Sequence, residues 1–252
     1  MAYNNIMNRL KIYLFILCSS WVSPQLMATP QTIQVATESW LGYTNEDGTG
    51  FYFDILKHVF PQKDWTLEID IAPFSRVRYL LNHERADIAL GFYVGDKTKA
   101  LYSEHAVEVD SVDVALTPEM AQIWEGVNSL SFKKVQALLA YRYDEFIDVP
   151  MYYEESSNLL DMLNRVNRGR IDAVLDYKPA MLAKAAKLAQ PRQFVIIENI
   201  FQAEIYFVFA QNSKGALLKA HFDIELQKMI DSGELDRLFQ QYMGQEASRL
   251  LR

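Results

Sequence analysis

The sequence predicts an α/β protein of two lobes, each a mostly parallel sheet flanked by helices, with two extended strands crossing between them. Three observations carry this. Short apolar strands alternate with amphipathic helices, the pattern of βαβ units and a mainly parallel sheet. A helix–turn–Asp–strand unit occurs twice, well apart in the chain: Tyr79-Leu80-Leu81-Asn82-His83-Glu84-Arg85-Ala86-Asp87-Ile88-Ala89-Leu90 and 161–175, ending Arg170-Ile171-Asp172-Ala173-Val174-Leu175. One such unit is commonplace; two separated copies suggest two lobes of like construction. Two long β-prone stretches, 107–116 and 203–210, are placed to cross between the lobes.

The elements follow in order. Arg9 and Lys11 precede an apolar run from Ile12 to Cys18 that is too short to span a bilayer, so 1–28 reads as a secretory signal peptide cut after Ala28, with Met7 an alternative initiator. A lipid anchor on Cys18 is disfavoured because Leu17 stands where such a motif wants Gly or Ala. Cys18 is the single cysteine, so the mature chain has no disulfide, no thiol nucleophile and no thiolate metal site. Thr32 to Thr37 is a β-branched strand, and a helix from Tyr52 carries Ile55, Leu56, Val59 and Phe60 before Pro61 stops it. Trp65 to Ile71 alternates as a strand, Pro73 breaks it, Val77, Leu80 and Leu81 stripe a second helix, and 86–90 is a short apolar strand. A helix with Leu159, Met162, Leu163 and Val166 precedes the second copy of the repeated unit. Two closing helices, one with Leu218, Phe222, Met229 and Ile230 and one with Leu235, Leu238, Phe239 and Tyr242, are divided at Gly233 and pack back on the first lobe. Lobe 1 is therefore 29–112 plus 206–252, and lobe 2 is 113–205.

Bulk properties exclude several classes. A net charge of −7 without a Lys/Arg cluster argues against nucleic acid as a partner. His-Glu-x-x-His, Gly-x-Ser-x-Gly and phosphate-loop patterns do not occur, and the four histidines are scattered, so neither a catalytic nor a metal site is expected.

Val35-Ala36-Thr37-Glu38-Ser39-Trp40-Leu41-Gly42-Tyr43, followed by Gly50-Phe51-Tyr52-Phe53-Asp54-Ile55-Leu56, resembles the opening strand, aromatic loop and helix start of the family 3 extracellular solute-binding proteins, the polar amino acid receptors of ABC transporters. The segments 91–103, 169–176 and 231–244 resemble the family's post-strand loop, its Gly-Arg-Val-Asp-Ala-Val segment and its closing helix. The resemblance implies a type II periplasmic-binding-protein-like fold and a periplasmic receptor, monomeric and without cofactor, that closes on a small polar solute such as an amino acid or a related compound. Its partner would be an ABC permease or a separate membrane sensor. A dehydratase-like enzyme on the same fold, with Glu154 or Asp176 paired to Lys97, stays open as the alternative.

In open α/β sheets the ligand crevice lies beyond the carboxyl ends of the strands. Trp40 and Tyr43, Phe74, Phe92 and Tyr93, and Asp176 and Tyr177 follow strands in this reading. Trp40 and Tyr43 are the expected aromatic wall, and Phe74 and Phe92 serve equally as core. Arg76 and Arg142 are candidate forks for a carboxylate, and Ser156 with Ser157 precedes a helix whose free N–H groups favour an anion. Lys97 stands where the resembling family places a carboxylate-clamping arginine, Asp176 is displaced by one residue from its aspartate, and the lobe 2 Gly-Ser/Thr turn is missing from 139–143. These departures lead us to expect a ligand other than a standard α-amino acid.

Overall fold

The computed structural model describes residues 30–96, 98–245 and 247–249. The expected signal peptide with its cut after Ala28, the alternative start at Met7, Cys18 and Lys97 all lie outside the described residues.

The first group of strands is parallel. β1 (Gln31–Thr37) lies between β2 (Trp65–Ile71) and β3 (Ile88–Tyr93), in register from Gln31 with Trp65 to Thr37 with Ile71. The connections are α1 (Phe51–Val59) and α2 (Phe74–Asn82). A second parallel group has β6 (Lys134–Leu138) between β7 (Tyr152–Ser156) and β8 (Ala173–Asp176), with α4 (Leu159–Asn167) and α5 (Lys178–Ala185) beside it. A short α3 (Pro118–Gln122) precedes that group, and its N-cap Thr117 accepts a hydrogen bond from the Met120 N–H.

Between the groups run β5 (Glu108–Leu116) and β9 (Val195–Ala210), antiparallel to each other over their lengths. β9 continues into the first group by pairing with β3 and with the short β4 (Ala100–Tyr102), while β5 pairs with β8 in the second. The strand order is β2-β1-β3-β9-β5-β8-β6-β7. The chain then closes with α6 (Ser213–Asp231) and α7 (Glu234–Met243), which pack on β9 and α1. Phe222 of α6 meets the rings of Phe60, Phe207 and Phe209, and Phe239 of α7 meets Phe51 edge-on.

The repeated unit read in the sequence has a structural counterpart in each group. After α2, Glu84 adopts a left-handed conformation, and after α4, Gly169 does. The aspartate that follows clamps the neighbouring parallel strand twice. Asp87 donates its N–H to Gln34 O at 2.8 Å and accepts from Gln34 N–H on Oδ2 at 2.8 Å. Asp172 treats Lys134 in the same way, at 2.9 and 2.7 Å. The Asp in this motif thus satisfies the backbone N–H of the neighbouring strand one residue before their ladder begins, at Val35 with Ile88 and at Val135 with Ala173.

Several expectations need correction. The third strand does not stop at Leu90: Gly91, at φ 81°, absorbs a register shift and the strand continues through Phe92 and Tyr93. The second crossing strand begins at Val195 and not at Ala203, the irregularity being carried by Asn199 at φ 58° opposite a register shift between Val112 and Val114. Trp65–Ile71 is the strand the alternation predicts, at the end of the sheet, with Trp65, Leu67 and Ile71 part-buried against the core and Thr66, Glu68, Ile69 and Asp70 exposed. The cap of α4 is Asn158, whose side chain accepts from the Asp161 N–H at 3.1 Å, so Ser156 ends a strand and does not open the helix.

Candidate functional site

The carboxyl ends of the parallel strands of both groups converge. Glu38, Ser39 and Trp40 follow β1, Phe74 follows β2, and Tyr93 ends β3. From the other group come Tyr141 and Tyr143 after β6, Ser157 and Asn158 after β7, and Asp176 with Tyr177 at the end of β8. Two adjoining cavities lie between them. One, with a cavity volume of about 30 Å³, is walled by Trp40, Phe74, Gly91, Tyr93, Asp96, Tyr141, Tyr143, Phe146 and Tyr177. The other, an open cleft of about 450 Å³, is bounded by Glu38, Trp40, Tyr141, Ser157, Asn158, Asp176, Tyr177, Lys184 and Lys187 among others. Trp40, Tyr141 and Tyr177 line both and divide them. The cleft's volume suits a small molecule, whereas the first cavity has room only for about one water-sized group.

The loop after β1 places Trp40. Thr44 Oγ1 accepts from the Trp40 N–H at 3.0 Å and donates to Glu38 O at 2.6 Å, while Tyr43 and Thr44 N–H groups both return to Trp40 O. This tight turn leads into α1, and Gly50 is required there because a Cβ would lie 2.2 Å from Tyr43 O. The indole lies on Gly91, where a Cβ would approach Trp40 Cη2 to 2.6 Å. It also packs on Phe74 with centroids 5.9 Å apart.

Across the cleft, Tyr141 binds two groups from the first lobe at once. Its hydroxyl accepts from Trp40 Nε1 at 3.2 Å and donates to Glu38 Oε2 at 3.1 Å, and its ring meets Phe74 edge-on at 5.8 Å. The two lobes are thus joined by a Trp–Tyr–Glu relay within the site.

The electrostatics are acidic throughout. Asp176 is 1% exposed; its Oδ1 accepts from the Tyr177 N–H at 2.7 Å, and its Oδ2 has no hydrogen-bond partner. Burial, then the charges of Glu38, Asp110 and Asp113, push its carboxyl up to about 7 against the pull of that N–H. Burial also raises Glu38, although the Tyr141 hydroxyl opposes the shift. Asp110, on β5 beneath the site, accepts from the hydroxyls of Tyr93 and Tyr177, and burial raises it as well. The Tyr143 hydroxyl is buried without a partner.

The residues expected from the sequence divide into two sets. Trp40, Phe74, Tyr93 and Asp176 are brought together at the cavities. Tyr43 turns the other way, its ring 5.1 Å from that of Tyr52 and its hydroxyl beside Glu108 on β5, and it lines neither cavity. Arg76 is exposed and pairs with Asp70 at 3.3 Å. Arg142, in a left-handed conformation, pairs with Glu145 and gives its N–H to Glu155 at 2.6 Å. Ser156 Oγ accepts from the Asn158 N–H at 3.3 Å. Neither arginine nor Ser156 lines the two cavities.

Sequence reasoning missed Glu38, Asp96, Tyr141, Tyr143 and Phe146. Glu38 immediately follows a recognised strand, so the rule that singled out Trp40 would have found it. Tyr141 and Tyr143 follow β6, whose Lys-Val-Gln-Ala-Leu carries too weak a pattern to read as a strand. Asp96 is held by Arg78, whose Nη1 donates to both its oxygens in a nearly buried pair. No group of His, Cys, Asp and Glu among the described residues is arranged to hold a metal ion.

No protein-family model and no curated protein matches the sequence. Solved structures do match in fold. The ligand-binding core of GluR0 in complex with L-glutamate superposes with a TM-score of 0.67 at 13% identity, over 86% of this chain and 100% of that one. An ancestral arginine-binding protein bound to glutamine gives 0.64 at 18% identity, over 86% and 100%. The probable amino-acid ABC transporter extracellular-binding protein YtmK from Bacillus subtilis gives 0.60 at 20%, over 87% and 100%. The fold is thus the two-lobed α/β, type II periplasmic-binding-protein fold.

Proposed function

We propose that this protein is a receptor that closes its two lobes on a small polar solute and delivers it to an ABC-type permease, without catalysing a reaction. The observation that carries the reading is the composition of the cleft. Every parallel strand end that reaches it contributes side chains, and they come from both lobes, so a bound molecule would bridge the two and stabilise the closed form. The fold shared with the arginine-binding and YtmK proteins supports it. On this reading 1–28 directs export to the periplasm, lobe 1 is 29–112 with 206–252, and lobe 2 is 113–205. The receptor works as a monomer with no nucleic-acid partner.

The test is to purify the native protein from the periplasm and identify the molecule that accompanies it by mass spectrometry. Trp40→Ala should then lower its affinity by about 2 kcal/mol, near thirtyfold, because the indole joins both cavities and both lobes. Undiminished binding would place the solute elsewhere. Capture of a permease only in the closed, solute-bound state would establish the transport role, and capture of a membrane sensor would replace it.

A further inference from the structure

The site has an excess of one chemistry. Glu38 and Asp176, from opposite lobes, line the same cleft, and Asp96 lines the adjoining cavity. Three arginines that could have served as carboxylate forks are in ion pairs: Arg78 with Asp96, Arg76 with Asp70 and Arg142 with Glu145. Among the described lining residues only Lys184 and Lys187 are cationic, and both are exposed, the first on α5 and the second in the turn after it. An anionic group entering beside Asp176 would meet carboxylates and no described guanidinium.

One buried acceptor, meanwhile, is unsatisfied. Asp176 Oδ2 is shielded from solvent and lacks a partner, in a residue that lines the cleft. A buried carboxylate oxygen without a donor costs free energy that a cationic donor would recover. Trp40, Tyr141 and Tyr177 line the same cleft, and aromatic rings are groups that attract an organic cation. Resting on the receptor reading above, we propose that the solute is a small organic cation, held by an ammonium or guanidinium group between Glu38 and Asp176 and carrying no carboxylate.

Matched pairs test this directly. 1,4-Diaminobutane and ornithine differ by one carboxylate, as do agmatine and arginine. Calorimetry on the full mature chain should show the carboxylate-free member of at least one pair binding ten or more times tighter than its partner. Glu38→Gln and Asp176→Asn should each weaken that binding at least tenfold. Glu38 is only half-buried, so its variant keeps the test alive if the Asp176 change impairs folding.

Binding should also release a proton near pH 6, read as an enthalpy that varies with the buffer's own ionisation heat. The groups facing Asp176 are Glu38 after β1, Asp110 and Asp113 on β5, and Tyr141, Tyr143 and Tyr177, with Lys184 and Lys187 bordering the cleft. Equal or tighter binding of ornithine and arginine would overturn the cation proposal, and if scattering showed closure on them the receptor reading would stand. No binding of any of the four would overturn the cation proposal, and a native preparation holding no small molecule would then count against the receptor reading as well.

Discussion

At the scale of single residues, Asp176 is one of the buried carboxyls that make stability depend on pH. Its carboxyl titrates near 7 in the fold and near 3.8 in the unfolded chain, so between these values the native state holds more protons. Stability from this group therefore falls as pH rises from about 4 to about 7, and the loss persists above. At about 1.4 kcal/mol per unit, the full effect is at most roughly 4 kcal/mol. Asp176→Asn keeps an acceptor for the Tyr177 N–H and removes the charge. Thermal melts should show the variant gaining on the native protein as pH rises from 5 to 8, and a pH-independent difference would refute the assignment. Gly91 supplies a second case. Alanine there would be strained at φ 81° and would meet the Trp40 ring at 2.6 Å. Gly91→Ala should cost on the order of 1–3 kcal/mol in denaturant midpoint and reduce solute binding, because the indole must move.

Elements add the pairing of strands to these contacts. Asp87 and Asp172 each close the entry of a parallel strand through two hydrogen bonds to one neighbour, and they do so in different lobes. Asp87 also takes a 2.5 Å bond from Lys214 at the start of α6, which ties the closing helices to the first sheet. Replacing either aspartate by alanine strands a backbone N–H, for about 1–2 kcal/mol each. The double variant should show additive losses within roughly 0.5 kcal/mol by chemical denaturation, since the two clamps share no partner. The amphipathic helices α1, α2, α4 and α7 were legible because their buried residues recur at helical spacing. β4, β6 and β7 were not, being three to five residues long with polar side chains interspersed. Their pairing partners make them strands, and pairing is non-local.

For the molecule as a whole, the proposed receptor role requires a hinge, and β5 and β9 are placed to supply it, since they connect the two strand groups and carry register shifts along their lengths. Small torsional changes at a few such positions rotate one lobe against the other. Within the site, the Trp40–Tyr141–Glu38 relay and the Phe74–Tyr141 contact tie residues that follow β1 and β2 to a residue that follows β6. Tyr141→Phe removes both hydroxyl bonds while keeping the ring. Small-angle scattering should then show a larger radius of gyration than the native chain, and addition of a saturating solute should shrink both. An unchanged radius in the variant would show that ring packing alone sets closure.

By itself the sequence determined the α/β class, the doubled unit, the break between the closing helices at Gly233 and the aromatic loop carrying Trp40. All of these rest on local spacing, on turn residues and on the periodicity of apolar side chains, which a chain carries before it folds. Tertiary structure alone decided that Tyr43 faces Glu108 while Trp40 faces the cleft, and that Arg76 and Arg142 are spent in ion pairs. It also decided that Tyr141, about a hundred positions from Trp40 and Glu38, completes their hydrogen bonds. A side chain's partner is fixed by which strand ends meet, and that depends on crossings and register shifts that no local pattern encodes.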